Sequence, residues 1–165
     1  MLKPKIKLDK VTNITLDILK KYNITSLILD VDNTLSTHHG QTLTFGLENW
    51  LKLMTDNGIK LTVLSNSTKK RLEPFAKKIG LNYISVGLKP LPFGYLRALK
   101  QLGEKKKNTA IVGDQIFTDV LGGNLVGLKT ILLTPIKLET SLRFRIKRKL
   151  EAFVIKKLKS TNTEV

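Results

Sequence analysis

The amino-acid sequence predicts an α/β protein built on a doubly wound, Rossmann-like sheet of five parallel strands. Three observations carry that expectation. Short apolar runs at 27–29, 61–64, 83–86, 110–112 and 130–133 are bounded by polar turn formers, the pattern of strands buried on both faces. Between them lie segments with apolar residues at helical spacing, and strands alternating with helices imply right-handed βαβ units. Finally, chemically capable polar residues follow four of the five runs, where open α/β sheets bind ligands.

Taken in order, residues 1–24 are basic, and Ile14, Ile18 and Leu19 mark a packing helix that ends near Tyr22 and Asn23. The first strand runs into Asp30-Val31-Asp32-Asn33-Thr34. Carboxylates at that spacing cannot share a helix face, and their repulsion implies a cation or a shared proton. The alternative is a simple strand-ending turn, since Asp and Asn turn chains readily. The loop 35–46 contains His38 and His39, read as solvated. Leu47, Trp50, Leu51 and Met54 form a core helix stopped by Gly58. The second strand ends in Ser65-Asn66-Ser67. A lysine-rich helix then spans 68–79, with Pro74 setting a start or kink and Gly80 closing it.

The third strand leads to Gly87-Leu88-Lys89-Pro90, and Pro92 opens a helix with Phe93, Leu96, Leu99 and Leu102 on one face. The fourth strand ends in Gly113-Asp114, with Asp119 five residues on. A helix through Val120 and Leu121 reaches Gly122-Gly123-Asn124, and Pro135 stops the fifth strand. Residues 136–159 hold nine basic and two acidic side chains. Their stripe of Leu142, Ile146, Leu150, Phe153, Val154 and Leu158 predicts a basic amphipathic helix, either docked on the sheet or lying in a membrane interface. Residues 160–165 are expected to be a disordered tail of a single domain spanning 1–165.

Composition narrows the function classes. The 165 residues carry a net charge of +16, with 29 basic and 13 acidic side chains, which favours polyanionic partners such as nucleic acid, ribosomes or anionic lipid. The absence of cysteine excludes thiol nucleophiles and disulfides and fits a cytoplasmic protein. Lys3, Lys5, Lys7 and Lys10 interrupt any signal-peptide core, and no apolar run approaches the roughly 20 residues of a membrane span.

In a parallel sheet, strand ends of one polarity meet at one edge, so Asp30/Asp32, Ser65-Asn66, Lys89 and Asp114/Asp119 are expected to converge. Convergent acids, one hydroxyl and one lysine suit phosphoryl transfer to a carboxylate. One Asp attacks phosphorus, another moves a proton, Mg²⁺ offsets the negative charge, and lysine and hydroxyl neutralise the phosphoryl oxygens.

These stretches resemble, in order, the four motifs of the haloacid dehalogenase (HAD) superfamily. DxDx(T/V) matches at 30–34, the hydroxyl motif at Ser65, the lysine motif at Lys89-Pro90, and GDxxxxD at 113–119. The stretches SNS, GLKP and GDQIFTDVLGGN look closest to the YqeG subfamily of small HAD IIIA-type phosphatases, a group similar to phosphatidylglycerophosphate phosphatases. The resemblance covers roughly residues 14–150.

It implies Asp30 as nucleophile, forming an aspartyl-phosphate, and Asp32 as the acid and base. Mg²⁺ would be held by Asp30, the Asp32 carbonyl and Asp114, with Asp119 in or near the second shell. Ser65 and Lys89 would bind phosphate, aided by backbone N–H groups near Asn33 and Asn66. HAD enzymes for small metabolites often insert a cap domain between motifs. Here those gaps are filled by a loop or turn, one helix and one strand, so the site is expected to be capless. An open site suits a bulky phosphorylated substrate, such as phosphatidylglycerophosphate at the inner face of a membrane. The alternatives are a polynucleotide or protein phosphatase, and a non-catalytic RNA- or ribosome-associated HAD-fold protein. The low aromatic content of 6% and the lack of an RNA motif weigh against the last.

Overall fold

Leu27, Ile28 and Leu29 are fully buried, as befits a run with no polar face. In the computed structural model, which describes residues 1–36, 42–136, 151, 152 and 156, they form the central strand. The chain runs β1 (Ile6–Leu8), α1 (Leu16–Lys21), β2 (Ser26–Leu29), α2 (Leu47–Asp56), β3 (Lys60–Leu64) and α3 (Lys69–Lys78). It continues through β4 (Tyr83–Ile84), α4 (Pro92–Leu102), β5 (Thr109–Gly113), α5 (Leu121–Val126) and β6 (Lys129–Leu133). The order across the sheet is β1-β6-β5-β2-β3-β4, and every pairing is parallel.

The sheet therefore has six strands where five are expected. The additional β1 lies in the basic N-terminal segment, where Ile6 sits between Lys5 and Lys7 and leaves no apolar run to read. It exists because β6 offers an open edge more than a hundred residues away: Ile6 pairs with Ile131 and Leu8 with Leu133. Lysines on such an edge also discourage pairing with other chains.

Side chains alternate between two apolar layers, as the two-residue period of a strand requires. Leu27, Leu29, Val63 and Val112 face a core built with Leu19 of α1, Trp50 and Met54 of α2 and Phe75 of α3. Ile28, Leu64 and Ile111 face Tyr95, Ala98, Leu99 and Leu102 of α4 and Val126 of α5. Each such side chain contributes about 1.5–3 kcal/mol by leaving water, so the central strands can carry charged residues at their ends.

Three local expectations are revised. The third strand spans only Tyr83–Ile84 and not 83–86, because Val86 takes φ 47° and turns the chain off the sheet. The buried stripe of α4 is Tyr95, Ala98, Leu99 and Leu102, while Phe93 and Leu96 are exposed. The tertiary partner of α4 is the Ile28–Leu64 layer, and it takes the helix face that carries Tyr95 and not the one that carries Phe93. Of the two roles expected of Pro74, a helix start or a kink, the start is excluded, because α3 runs through it. The stops at Gly58 and Gly80 hold, with φ of 75° and 68°, a backbone region where a Cβ is disfavoured.

Register positions the site. Leu29 of β2 is level with Val63 of β3 and Val112 of β5, so Asp30, Ser65 and Asp114 leave the sheet at nearly the same height. After β2 the chain winds outward through β3 and β4, then returns to β5 on the other side. Asp30 and Asp114 thus flank the point where the winding reverses, the usual crevice of such sheets. Among the described residues, α2 is the only helix between β2 and β3, and α3 the only one between β3 and β4, in keeping with the capless expectation. His38, His39, nearly all of the expected helix 136–159 and the tail 160–165 lie outside the described residues.

Candidate active site

Asp30 still belongs to the sheet through its N–H, which donates to Val112 O at 2.9 Å. The next residues turn sharply: the N–H groups of Thr34, Leu35 and Ser36 all point to Val31 O. Asn33 makes that turn at φ 59°, a conformation that Asn tolerates better than most residues, and is itself buried.

Lys89 Nζ lies 2.6 Å from Asp30 Oδ1 and 2.6 Å from Asp119 Oδ1. All three side chains are buried. Asp119 is delivered by a π-helical turn, Ile116–Val120, a rare element common at functional sites. The Gln115 N–H donates to Asp119 Oδ2 at 3.2 Å. Gly113 carries no Cβ because one there would overlap the Asp119 carboxylate. From the other side Tyr95 Oη donates to Thr118 O at 2.7 Å and packs on Gly122, where a Cβ would strike its ring.

Asp30, Asp114 and Asp119 each offer a carboxylate oxygen, all within 4.8 Å of one another. Three buried carboxylates against one ammonium leave an excess of negative charge that burial makes costly. Burial pushes the Asp30 carboxyl from its ordinary 3.8 up to about 8; Lys89 pulls it down, and Asp119 and Asp114 push it further up. Burial alone would depress the Lys89 ammonium, but Asp119 and Asp30 outweigh it and hold the lysine charged. A cluster of hard oxygen donors with surplus negative charge fits a divalent cation of the Mg²⁺ type.

The second wall of the cleft comes from the β3 end. Ser65 is buried and its Oγ accepts from the Ser67 N–H at 3.1 Å. The Asn66 amide is committed to the lysine loop: its Oδ1 accepts the Lys89 N–H at 2.7 Å and its Nδ2 donates to Lys89 O at 3.1 Å. Its side chain therefore positions Lys89. Asp32 stands apart from the carboxylate cluster. Its Oδ1 meets Arg71 Nη2 at 2.5 Å, while Arg71 Nη1 donates to Ser67 Oγ at 3.1 Å. The resulting cleft, about 470 Å³ in volume, is lined by residues that include Asp30, Asp32, Ser65, Lys89, Gln115 and Thr118.

The structure thus brings together Asp30, Lys89, Asp114 and Asp119 in one charge cluster, with Asp32, Ser65 and Asn66 on the same cleft and Asn33 in the turn beneath. Arg71, Tyr95 and Glu151 were not singled out from the sequence. Arg71 is one of five arginines in a chain otherwise supplied with lysine, and its planar fork suits the Asp32–Ser67 pair; that bias was the available signal. Tyr95 reads as core. Glu151 lies within the expected C-terminal helix, is helical and buried, and its Oε1 accepts the Ile116 N–H at 3.0 Å, so this point of the tail docks against the π-turn.

The family model of haloacid dehalogenase-like hydrolases matches residues 30–127. The chain is 35% identical over 147 residues to the probable phosphatase YqeG of Bacillus subtilis, covering 89% of this chain and 86% of that protein. Among solved structures it is similar to a HAD family hydrolase from Deinococcus radiodurans with bound phosphate and sodium (TM-score 0.62, 15% identity, 77% of this chain and 88% of that one). It is also similar to the cobalt-bound deoxy-D-mannose-octulosonate 8-phosphate phosphatase from Haemophilus influenzae (TM-score 0.55, 19% identity, 83% and 90%).

Proposed function

The chain belongs to the haloacid dehalogenase-like hydrolases and is a phosphatase of that family, and on that premise we propose that it hydrolyses phosphomonoesters through an aspartyl-phosphate on Asp30. The observation that carries this reading is the contact of Lys89 with Asp30 and Asp119 inside the acidic cluster, on the edge where the cleft opens. An Asp30 carboxylate oxygen attacks phosphorus and the bond to the leaving oxygen breaks. Asp32, aimed by Arg71, gives that oxygen a proton. Asp32 then takes a proton from water as the water oxygen attacks the same phosphorus, releasing phosphate and restoring Asp30. Lys89 and the Ser65 hydroxyl face the phosphoryl oxygens, where positive charge and hydrogen-bond donation lower the barrier most.

Asp30, Asp114 and Asp119, with the Asp32 carbonyl, would hold Mg²⁺, which when bound neutralises phosphoryl charge. To serve as a ligand there, Asp30 would have to give up the proton that burial favours. The sign follows from that carboxyl being raised to about 8. Without metal, this group's contribution to stability is full below its unfolded value and is lost as pH climbs through the folded one. Stabilisation by Mg²⁺ should therefore be small near about pH 6 and larger near about pH 8, with apparent affinity rising about tenfold per pH unit between them. Thermal melts with Mg²⁺ and with EDTA at the two pH values check it; equal shifts at both would mean that metal binding takes no proton from Asp30.

For the substrate we infer a bulky phosphomonoester, with phosphatidylglycerophosphate at an anionic membrane surface as the leading candidate. The open cleft, the net charge of +16 and the resemblance to phosphatidylglycerophosphate phosphatases support this reading. A screen of para-nitrophenyl phosphate, phosphatidylglycerophosphate, nucleotides and phosphopeptides tests it. Turnover of the first, lost on chelation, is expected for the chemistry, and preference for the lipid is expected for the substrate. Preference for a nucleotide or phosphopeptide would reassign the substrate and keep the chemistry.

A further inference from the structure

Ten large hydrophobic side chains are exposed among the described residues, and five of them, Val86, Leu88, Leu91, Phe93 and Leu96, fall within 86–96. This segment contains Lys89, which lines the cleft, so these apolar side chains belong to the loop and helix that enter and leave that position. Phe93 is 60% exposed and Leu91 51%, although large aromatic and aliphatic groups are normally buried. Their exposure is built in. The buried stripe of α4 turns Phe93 and Leu96 outward, on the helix face shared with Arg97 and Lys100. Val86 and Leu88 sit at φ 47° and 55°, a region that is strained for β-branched and bulky residues. The loop is held there by the Val86 N–H on Ser67 O and the Gly87 N–H on Ser65 O, each 2.9 Å, and the Leu91 N–H on Leu88 O at 2.8 Å. Arg97 adds bonds to the carbonyls of Ser85 and Val86.

The exposed charge on the two segments that supply Ser65–Arg71 and Lys89 to the cleft is basic: Lys69, Lys70, Arg97 and Lys100 are exposed, while Arg71 and Lys89 are taken up by Asp32 and by Asp30 and Asp119 within the cleft. We propose that these segments form the face by which the protein docks on an anionic lipid surface, inserting its apolar side chains between headgroups and presenting the cleft to them. Apolar side chains fringed by lysine and arginine are what an interfacial site requires, the first entering the acyl boundary and the second neutralising anionic lipid. A second copy of this chain fits poorly, because the same basic face would meet itself and repel. The proposal deepens the phosphatase reading by naming the surface its substrate is drawn from, and rests on that reading only for the purpose of docking.

The test uses the full chain, with Phe93→Ser/Leu96→Ser as the variant. Both positions are exposed, so the fold should hold, and the change leaves every charge in place. Wild type should co-sediment with phosphatidylglycerol/phosphatidylcholine vesicles at physiological ionic strength and not with pure phosphatidylcholine. The variant should partition at least about tenfold more weakly onto the anionic vesicles, since the apolar contribution is lost with charge unchanged. Its turnover of para-nitrophenyl phosphate should stay within about twofold of wild type. Equal partitioning of the two proteins, or no wild-type binding to anionic vesicles, would overturn the proposal. A wild-type dimer that the variant dissociates would overturn it in favour of a second copy. Weakened vesicle binding by the variant in a protein with no phosphatase turnover would uphold the docking face and reject the phosphatase reading.

Discussion

Asp30→Asn is expected to lower phosphatase turnover by about 10⁴-fold or more while leaving a folded protein. An amide oxygen is a poor nucleophile toward phosphorus, and removing an attacking group usually eliminates most of the rate because its partners have nothing left to assist. The fold should survive because the amide is nearly isosteric and the stabilising β2 contacts lie before it. Asp30 is buried beside Asp114 and Asp119, so making it neutral removes like-charge repulsion, and Lys89 keeps its 2.6 Å contact with Asp119. In EDTA the variant should therefore melt no lower than wild type near about pH 8, where Asp30 would otherwise be losing its proton. Steady-state turnover with Mg²⁺ and a circular-dichroism melt check the two halves. A folded variant that retains activity would take the nucleophile's role away from Asp30.

Lys89→Met should fail on both counts. The methionine keeps most of the side-chain volume and removes the ammonium that contacts both Asp30 and Asp119. Deleting one partner of a buried ion pair costs about 3–5 kcal/mol, and losing a positive charge at the transferring phosphoryl group costs roughly 10²–10³ in rate. The pH dependence identifies the cause. Lys89 pulls the Asp30 carboxyl down against the burial that raises it, so without the lysine that carboxyl is raised further. Stability of the variant should then fall more steeply than that of wild type as pH rises from about 6 to about 8 in EDTA, and recover on acidification as the carboxylates take up protons. Urea titrations at both pH values measure this. A variant as stable as wild type throughout would mean that Lys89 is not the counter-charge of the cluster.

Much of this site was legible because it is written in short local patterns. Asp30, Ser65, Lys89 and Asp114 each follow an apolar run, and a parallel sheet brings such positions to one edge whatever lies between them. The division of labour inside the site was less accessible. The resemblance places Asp119 in or near the second shell, yet its carboxylate touches Lys89 and shares a 4.8 Å cluster with Asp30 and Asp114. The π-turn that swings it inward depends on Gly113, Tyr95 and Gln115 together, and no one of these signals it alone. Arg71 reaches Asp32 across thirty-nine positions, and beyond its being an arginine among lysines nothing local marks it as the residue that turns inward.

By itself the sequence determined the α/β class, the positions of the central strands and the four strand-end groups, since the burial of β2, β3 and β5 follows directly from uninterrupted apolar runs. Only the tertiary structure decided the sixth strand, the face that α4 buries, the turn at Val86 and the pairing of Asp32 with Arg71. Each of those depends on a partner distant in the chain: the open edge of β6, the Ile28–Leu64 layer, the carbonyls of Ser65 and Ser67, and the first turn of α3. Local periodicity records what a segment can bury, and the choice among several faces or edges is made by whichever neighbour the finished sheet places opposite it.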